Sequence, residues 1–141
     1  MYPIKEIKGN LFNSLDSMCH CVSQDLKMSK GIAREFRSRF GRYKELQNCE
    51  AKVGEIAVIR VGEKYVYNLV TKLRFFNKPS YKTIRESLIA MREHALANNV
   101  HAISMPKIGC GLDGLKWQIV KCIISNVFND SGIRINVYYQ F

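Results

Sequence analysis

The amino-acid sequence predicts an α/β domain in three layers, with helices covering both faces of a mixed, mostly parallel sheet of six strands. Short β-rich runs alternate along the chain with segments of helical periodicity, an order that is typical of parallel strands buried between helices. One neighbouring pair of β-rich runs is instead joined by a turn of four residues, which indicates an antiparallel hairpin. The length of 141 residues suits a single domain, which we place at residues 1–141.

The predicted strands are short and end at turn residues or at a proline. Gly9 and Asn10 end the first strand, the turn 61–64 separates the third strand from the fourth, and Pro106 ends the fifth. The six predicted strands are residues 4–8, 17–22, 55–60, 65–71, 102–105 and 133–139.

Three segments have the periodicity of amphipathic helices, with apolar residues three or four positions apart. The first begins at Gly31 and is stopped by Gly41. The second and longest follows Pro79, with Ser80 as its N-cap, and the third begins near Trp117. Their apolar stripes are Ile32, Phe36 and Phe40, then Tyr81, Ile84, Leu88, Met91 and Ala95, and finally Trp117, Val120, Ile124 and Val127.

The composition is that of an ordinary globular protein, with 47% hydrophobic and 24% charged residues, and it excludes a disordered chain. The apolar stretches fall short of the roughly 18 residues that cross a bilayer, and the first residues carry neither a signal-peptide pattern nor a lipidation pattern. We therefore expect an intracellular, soluble protein that does not enter a membrane. Five cysteines without Cys-x-x-Cys spacing indicate reduced thiols.

The charge is strongly basic, with 22 lysines and arginines against 12 acidic residues and a formal net charge of +10. Such a balance favours an anionic partner, which would be nucleic acid, poly-ADP-ribose or a ligand with a pyrophosphate. The cations are densest between Lys27 and Lys44. This run is either a ligand-facing surface or a solvated helix face.

The adjacent residues Cys19, His20 and Cys21 are of the types that bind zinc. Neighbouring residues of a strand point to opposite faces, so the histidine cannot join both cysteines in one tetrahedral site. No second group with zinc-site spacing follows in the sequence. We therefore expect no metal site.

The segment with the clearest chemical meaning connects the fifth predicted strand to the last helix and contains Gly109, Gly111 and Gly114. Glycines there let backbone N–H groups approach an anion beside a helix N-terminus. The spacing matches G-x-G-x-x-G, but too little chain follows for a dinucleotide-binding Rossmann unit, and no Gly-Lys-Ser/Thr follows for a P-loop. A tight structural turn is the alternative, and it explains three glycines with an embedded Asp113 less well than an anion-binding loop does. The loop 28–33 gives a weaker signal for the same role.

Lys72 follows an apolar strand, with Arg74 close in sequence. A lysine near other cations or in a dry pocket can lose its proton and act as a nucleophile, although most lysines are surface residues. No nucleophile motif accompanies the three histidines, and His94 is expected at the surface of its helix. From residue chemistry alone, the sequence predicts an α/β domain with a phosphate-holding loop.

Several strings in the chain resemble, in the same order, one branch of the macro domains. This branch is the terminal ADP-ribose protein glycohydrolases, also described as O-acyl-ADP-ribose deacetylases. The likeness extends over residues 4–138 without insertions, the segment SMPKIGCGLD is highly specific, and Thr71 followed by Lys72 separates the branch from other macro domains. The strings are residues 7–12, 20–23, 28–33, 70–72, 78–81 and 104–113.

The resemblance implies a three-layer α/β/α sandwich that binds ADP-ribose in a cleft at the strand ends. Lys72 would be the catalytic lysine and Asp113 the catalytic acid or base. Leu11 and Ser23 would line the adenosine side, and residues 107–113 would wrap the diphosphate and the distal ribose. The ligand-binding residues implied in this way are Asn10, Leu11, Ser23, Gly31, Ile32, Pro106, Lys107, Ile108, Gly109, Cys110, Gly111, Leu112, Tyr138 and Gln140.

The implied activity is removal of mono-ADP-ribose from modified glutamate or aspartate side chains of proteins, and deacylation of O-acyl-ADP-ribose, with no cofactor. An ester-linked ADP-ribose can expose the aldehyde form of its distal ribose, a neutral Lys72 can attack the anomeric carbon, and Asp113 can exchange the protons. The alternatives are a non-catalytic reader of ADP-ribose or poly-ADP-ribose and a nucleic-acid-binding module. The presence of both Lys72 and Asp113 favours the enzyme, which we expect to be a monomer in the nucleus or the cytoplasm.

Three positions depart from the branch. Asn10 stands where the family usually has an aspartate that reads the adenine amino group, so a hydrogen bond there loses its charge assistance. Ser29 and Lys30 replace Gly-Ala before Gly31, and the lysine either obstructs the cleft or adds a phosphate contact. Gln140 makes the adenine side more polar than the family's usual apolar residue does. We expect these changes to affect affinity rather than fold.

Overall fold

The computed structural model describes residues 4–140, so residues 1–3 and 141, at the ends of the predicted domain, lie outside the described part. Its six strands are β1 (Lys5–Lys8), β2 (Ser17–Ser23), β3 (Ile56–Val61), β4 (Lys64–Lys72), β5 (Ala102–Met105) and β6 (Arg134–Tyr139). They form one sheet in the order β1-β6-β5-β2-β4-β3. All neighbours pair in parallel except β3 and β4, which form an antiparallel hairpin. The predicted mixed, mostly parallel sheet is confirmed.

Four α-helices cover the sheet: α1 (Gly31–Phe40), α2 (Tyr43–Asn48), α3 (Tyr81–Ala97) and α4 (Trp117–Phe128). The side chains of α1 and α2 pack on one face and those of α3 and α4 on the other, which confirms the three-layer α/β/α sandwich. The sequence pattern predicts neither α2, of 6 residues, nor a 3-10 turn of 3 residues at Leu11–Asn13. Such short segments do not show helical periodicity.

The ends of the two helices with sequence signals lie where those signals predict them. Helix α1 begins at Gly31, and Gly41 follows its last residue. Ser80 caps α3, because its hydroxyl accepts a hydrogen bond from the backbone N–H of Thr83 at 3.1 Å. Local chemistry therefore determines where these helices start.

Two local predictions differ from the structure. Val61 pairs with Lys64, so antiparallel pairing uses residues that the sequence pattern assigns to the hairpin turn. His94, expected at the surface, is half-buried, and its Nδ1 lies 2.9 Å from the hydroxyl of Tyr67. The polar side of α3 meets a tyrosine of the sheet there, and the pattern of one helix cannot show which groups another element supplies.

Alternate side chains of β2 and β4 enter two separate cores. Met18 and Val66 pack on the α1 side of the sheet, whereas Cys19 and Tyr67 pack on the side of α3 and α4, and all four are buried. Because both faces of these strands are filled, a ligand can approach the sheet at the strand ends.

His20 is a buried polar residue of β2 on the α1 side. Its ring stacks on Phe36 with centroids 3.8 Å apart, and its Nε2 lies 2.6 Å from Asn68 Oδ1. Asn68 Nδ2 donates to the carbonyl of Ala57, so Oδ1 is the acceptor and His20 Nε2 carries the hydrogen. His20 Nδ1 is buried without a hydrogen-bond partner. Burial lowers the pKa of His20 to about 4, since a second proton on Nδ1 would have no acceptor.

This environment predicts a stability loss in mild acid. The unfolded chain binds a proton on His20 near pH 6.5, whereas the folded protein does so near pH 4. The contribution of neutral His20 to the free energy of unfolding is therefore fully present above pH 6.5 and is lost as the pH falls toward 4. The loss over this range is on the order of 3 kcal/mol. In His20→Gln, which keeps a donor for Asn68, the free energy of unfolding should depend less steeply on pH between these values. Urea denaturation measures it, and equal pH slopes in both proteins would contradict a neutral buried His20.

Gly109 has a conformation and a position that a larger residue does not tolerate. Its φ is +72°, and a Cβ atom there would lie 3.0 Å from Leu115 Cδ1 and 3.3 Å from Ile84 Cδ1. Ile84 is fully buried, so it has little room to move. Gly111, two residues on, has no positive φ, and a Cβ atom added to it would have no neighbour within 4 Å. Of these two glycines, the first is required by packing.

We expect Gly109→Ala to lower the free energy of unfolding by about 1–3 kcal/mol, because it combines left-handed backbone strain with overpacking. Gly111→Ala is the matched control and should change stability by less than about 0.5 kcal/mol. Urea denaturation of both variants measures the difference. Similar stabilities for the two would mean that the backbone at Gly109 relaxes without cost.

Candidate active site

A cleft of about 610 Å³ opens at the carboxyl ends of the parallel strands. Strand β2 continues into a loop toward α1 on one face of the sheet, whereas the neighbouring strand β5 continues toward α4 on the other face. Adjacent strands that send their loops to opposite faces leave a crevice between them. We name the three loops around it the β2–α1 loop (24–30), the β4–α3 loop (73–80) and the β5–α4 loop (106–116).

Lys72 and Asp113 meet in this cleft. Lys72 Nζ lies 2.6 Å from Asp113 Oδ1, which makes both an ion pair and a hydrogen bond. The two side chains are 14% and 18% exposed, so a ligand can reach them although most of their surface is shielded from water. In such a contact the carboxylate can take a proton from the amine, as a base does beside a nucleophile.

The backbone of β4 determines where Lys72 lies. Lys72 is the last residue of β4 and follows six consecutive buried residues. It pairs with Ser23 of β2 just beyond a register shift, and its carbonyl accepts a hydrogen bond from the N–H of Gln24 at 2.8 Å. The lysine therefore stands on the rigid end of a central strand.

Asp113 is held by the folded β5–α4 loop. The N–H of Gly114 donates to the carbonyl of Gly111 at 3.1 Å, and the N–H of Leu115 donates to the carbonyl of Gly109 at 2.8 Å. These two turns enclose Asp113. The glycines that the sequence pattern assigns to an anion-binding loop thus also shape the turn that carries the carboxylate.

Cys21 is a second potential nucleophile that lines the cleft. Burial raises the pKa of its thiol to about 12, and the nearby Asp113 carboxylate contributes to the rise. The thiol therefore stays protonated at neutral pH and is a poor nucleophile. This leaves Lys72 as the nucleophile candidate.

The cleft offers hydrogen-bond donors and positive charge to an anion. Residues 31–33, at the amino-terminal end of α1, line it, and the first N–H groups of a helix have no partners within the helix. The N-cap residue Lys30 provides no side-chain hydrogen bond to them. Among the described residues, one carboxylate, Asp113, lines the cleft beside four lysines, which are Lys30, Lys72, Lys78 and Lys107. An anionic ligand is the chemistry that this lining favours.

Most of the predicted ligand-binding residues line the cleft. They belong to the end of β2, the first turn of α1 and the β5–α4 loop, which surround the Lys72–Asp113 pair. Those that line it are Ser23, Gly31, Ile32, Pro106, Lys107, Ile108, Gly109, Gly111 and Leu112. Their contacts with ADP-ribose stay predictions.

Five predicted residues do not line the cleft. Leu11 is buried in the core on the α1 side, and Tyr138 packs against that core. Cys110 is half-buried and packs against the core on the side of α3 and α4. Asn10 caps the 3-10 turn, because its Oδ1 accepts a backbone hydrogen bond at 2.9 Å, and Gln140 is exposed. Except for Cys110, these residues follow β1 or lie at the end of β6, on the same sheet edge as the cleft but beyond β5. A ligand that reached them would extend along this edge.

The β4–α3 loop contributes cleft residues that sequence reasoning does not predict, namely Phe75, Phe76, Asn77 and Lys78. Phe75 and Phe76 are 44% and 69% exposed, with ring centroids 5.3 Å apart in an edge-to-face arrangement. The sequence signal that could have identified them is the pair of consecutive aromatic residues in a short loop. Exposed apolar groups that cluster in this way mark binding surfaces.

Asp25 ties the β2–α1 loop to the β4–α3 loop. Its carboxylate accepts hydrogen bonds from the N–H of Phe75 at 3.0 Å, from the N–H of Lys27 at 3.2 Å and from the hydroxyl of Ser23. Burial raises the pKa of Asp25, but the three hydrogen bonds outweigh it, so the pKa lies below its ordinary value. The ionised carboxylate therefore holds two walls of the cleft together.

Residues 4–140 contain neither a metal-ligating cluster nor a membrane-spanning helix. No three His, Cys, Asp or Glu side chains there come together as a group that could hold a metal ion. Within the same range, no helix combines the length and the apolar character that crossing a bilayer needs. Cys19 and His20 point into different cores.

The family model of the Macro domain matches residues 19–124 of the chain. "ADP-ribose glycohydrolase OARD1" from Bos taurus is 47% identical over 137 residues, covering 96% of this chain and 90% of that protein. The Homo sapiens protein of the same name is 45% identical with the same coverage. "DNA ADP-ribosyl glycohydrolase" from Thermus aquaticus is 24% identical over 146 residues, covering 96% of this chain and 41% of that protein.

Solved structures share the fold at low sequence identity. The macrodomain of Thermus aquaticus DarG has a TM-score of 0.87 and 23% identity, with 99% of each chain covered. Thermosipho africanus DarTG in complex with ADP-ribose has a TM-score of 0.86 and 19% identity, covering 98% of this chain and 42% of that one. These two structures support the fold, and the family model and the OARD1 relatives extend over most of the sequence. The chain belongs to the macro domain family.

Proposed function

We propose that the protein is an ADP-ribose glycohydrolase. It removes mono-ADP-ribose from glutamate or aspartate side chains of proteins and deacylates O-acyl-ADP-ribose. The observation that carries this proposal is the 2.6 Å contact between Lys72 Nζ and Asp113 Oδ1 inside a cleft that otherwise carries cations. The OARD1 relatives, which are named ADP-ribose glycohydrolases, support the same reaction class.

The pair performs the two steps of a covalent hydrolysis. Asp113 takes a proton from Lys72 Nζ, and the neutral amine forms a bond to the anomeric carbon of the distal ribose as the ester oxygen leaves. The proton passes from Asp113 to the departing carboxylate. Water, deprotonated by Asp113, then cleaves the bond between Lys72 and the sugar and releases ADP-ribose.

The diphosphate would lie between the β2–α1 and β5–α4 loops. The free N–H groups of residues 31–33 and the amides of the glycine loop are suited to its oxygens, and Lys30 at the cleft rim adds positive charge. The adenosine would then follow the sheet edge toward Asn10, Leu11 and Tyr138. Binding of this kind fixes the anomeric carbon beside Lys72, which converts binding energy into a favourable position for attack.

A non-catalytic reader of ADP-ribose is the less favoured alternative. A reader needs the donors and the positive charge of the cleft, but it does not need a lysine and a carboxylate in direct contact. A partly buried ion pair adds little to stability, since the loss of hydration offsets most of the attraction. Catalysis accounts for the contact between Lys72 and Asp113, whereas binding alone does not.

We also propose that the protein is a monomer in the nucleus or the cytoplasm, and that its partners are ADP-ribosylated proteins and ADP-ribose. Poly-ADP-ribose is a further candidate partner. The net charge of +10 supports attraction to such polyanions over several ångströms, because the fields of many surface cations add.

The catalytic proposal is tested by release of ADP-ribose from a glutamate-linked mono-ADP-ribosylated protein. We expect Lys72→Ala to lower the rate at least about a thousandfold, because the variant lacks the proposed nucleophile and the Cys21 thiol, whose pKa is raised to about 12, stays protonated. Asp113→Asn should lower it about a hundredfold or more. Calorimetry should find the ADP-ribose affinity of both variants within about tenfold of the parent, since neither side chain is assigned to the diphosphate.

Lys82→Ala, on the exposed surface of α3, is the control and should keep full activity. Full activity of Lys72→Ala would remove Lys72 from the mechanism. If the unaltered protein binds ADP-ribose but releases none from the substrate, the protein is a reader.

A second candidate acceptor of the ADP-ribose is nucleic acid. The Thermus aquaticus relative is named a DNA ADP-ribosyl glycohydrolase. Seven cations around α1 are exposed, namely Lys27, Lys30, Arg34, Arg37, Arg39, Arg42 and Lys44. Such a surface neutralises phosphates and releases their counterions.

Nucleic-acid recognition predicts steep salt dependence. The logarithm of the association constant for an unmodified single-stranded oligonucleotide should fall with the logarithm of salt concentration by about 0.7 per neutralised phosphate. In the double variant Arg34→Gln, Lys44→Gln this slope should be shallower, because two cations are lost. Fluorescence anisotropy measures both slopes, and absence of binding at moderate salt would exclude the candidate.

A further inference from the structure

Lys78 joins two walls of the cleft. It lies in the β4–α3 loop, within the string 78–81 that carries the family resemblance, and the catalytic steps do not use it. Its Nζ donates a hydrogen bond to the carbonyl oxygen of Leu112 at 2.7 Å. Leu112 is followed directly by Asp113, which contacts Lys72. Two lysines at the end of β4 and in the loop after it therefore hold two consecutive residues of the β5–α4 loop.

The side chain of Leu112 lies across the cleft, although it is 70% exposed. Its Cδ1 is 3.7 Å from the point where a Cβ atom on Gly31 would stand, so it reaches the first turn of α1. No core buries this leucine and keeps it there. The position of its backbone is what directs the side chain over the cleft.

The β5–α4 loop has few bonds to the rest of the protein. The backbone N–H groups of Cys110, Gly114 and Leu115 donate within the loop. At the end of the loop, the N–H of Lys116 donates to another element, to the hydroxyl of Tyr81 at 3.1 Å. Within residues 4–140, the hydrogen bonds that reach residues 110–114 from another element come from Lys72 and Lys78. A loop with three glycines is costly to order, so loss of either bond should loosen it.

We propose that Lys78 is a positioning residue that holds Leu112 across the cleft and Asp113 against Lys72. It acts through the Leu112 carbonyl and does not touch the reacting atoms. Its effect on turnover rests on the proposed function, because it operates through the role given to Asp113. Its effect on the loop does not depend on that role.

Lys78 also lines the cleft, so a direct contact with a phosphate is the rival explanation. The two roles make different demands on the side chain. A positioning residue orders the loop before any ligand binds, and its loss slows turnover more than it weakens binding. A phosphate contact leaves the free loop unchanged, and its loss weakens binding in a salt-dependent way.

The first experiment follows hydrogen exchange of the backbone amides of Gly114 and Leu115 in the free protein. We expect Lys78→Met, which keeps the length of the side chain but removes the ammonium group, to speed their exchange about tenfold. Lys82→Met is the matched control, since this exposed lysine lies four residues further along the chain. In this variant the amides of Gly114 and Leu115 should exchange at the rate of the parent protein. Unchanged exchange in Lys78→Met would overturn the proposal.

The second experiment measures kinetics on the glutamate-linked substrate. We expect Lys78→Met to lower kcat about tenfold with KM within about threefold, and Lys78→Arg to restore most of the rate because a guanidinium can also donate to the Leu112 carbonyl. A rise in KM together with a shallower salt dependence of ADP-ribose binding would instead identify a phosphate contact. An inactive parent protein would overturn the proposed function, and the exchange of the loop would still decide whether Lys78 holds it.

Discussion

The structure depends on one constraint: its central strands are buried on both faces. Side chains of β2 and β4 alternate between a core beneath α1 and a core beneath α3 and α4. This leaves no face of the sheet for polar chemistry. The one histidine inside it, His20, stacks on Phe36 and is hydrogen-bonded to Asn68, and burial lowers its pKa and keeps it neutral. Reactive groups are therefore confined to the ends of the strands, where the cleft lies.

The cleft combines a cationic lining with a single acidic group among the described residues. The N–H groups at the start of α1 and the lysines at the rim suit an anion, whereas the side chain of Asp113 contacts Lys72. In the proposed function, this arrangement would let one site attract a diphosphate and still contain a base beside the nucleophile.

Contacts between the three loops prepare the cleft before a ligand arrives. Asp25 joins the β2–α1 loop to the β4–α3 loop, and Lys72 and Lys78 join the end of β4 and the β4–α3 loop to the β5–α4 loop. Each contact uses a charged side chain, which gives stronger hydrogen bonds than neutral groups do. A cleft ordered in this way loses less entropy when it binds and positions its substrate.

The sequence by itself determined the strands, three of the four helices and the glycine loop. Period-two and period-3.6 patterns and the cap at Ser80 act through neighbours in the chain, so a local pattern records them. The resemblance added Lys72 and Asp113 as a pair, but it did not give their 2.6 Å contact. The sequence pattern did not predict helix α2, because its six residues are too few to show the hydrophobic periodicity of a helix.

Tertiary structure alone decided which of these residues meet. Parallel strands are joined by long crossovers, so residues that meet in space are far apart in the sequence. His20 and Asn68 are separated by 48 residues, and Lys78 and Leu112 by 34. Packing of the layers brings each pair together. The same packing put Asn10 and Gln140 outside the cleft lining. Local periodicity contains no information on such contacts, since they depend on how the layers stack and on which loops leave adjacent strands toward opposite faces.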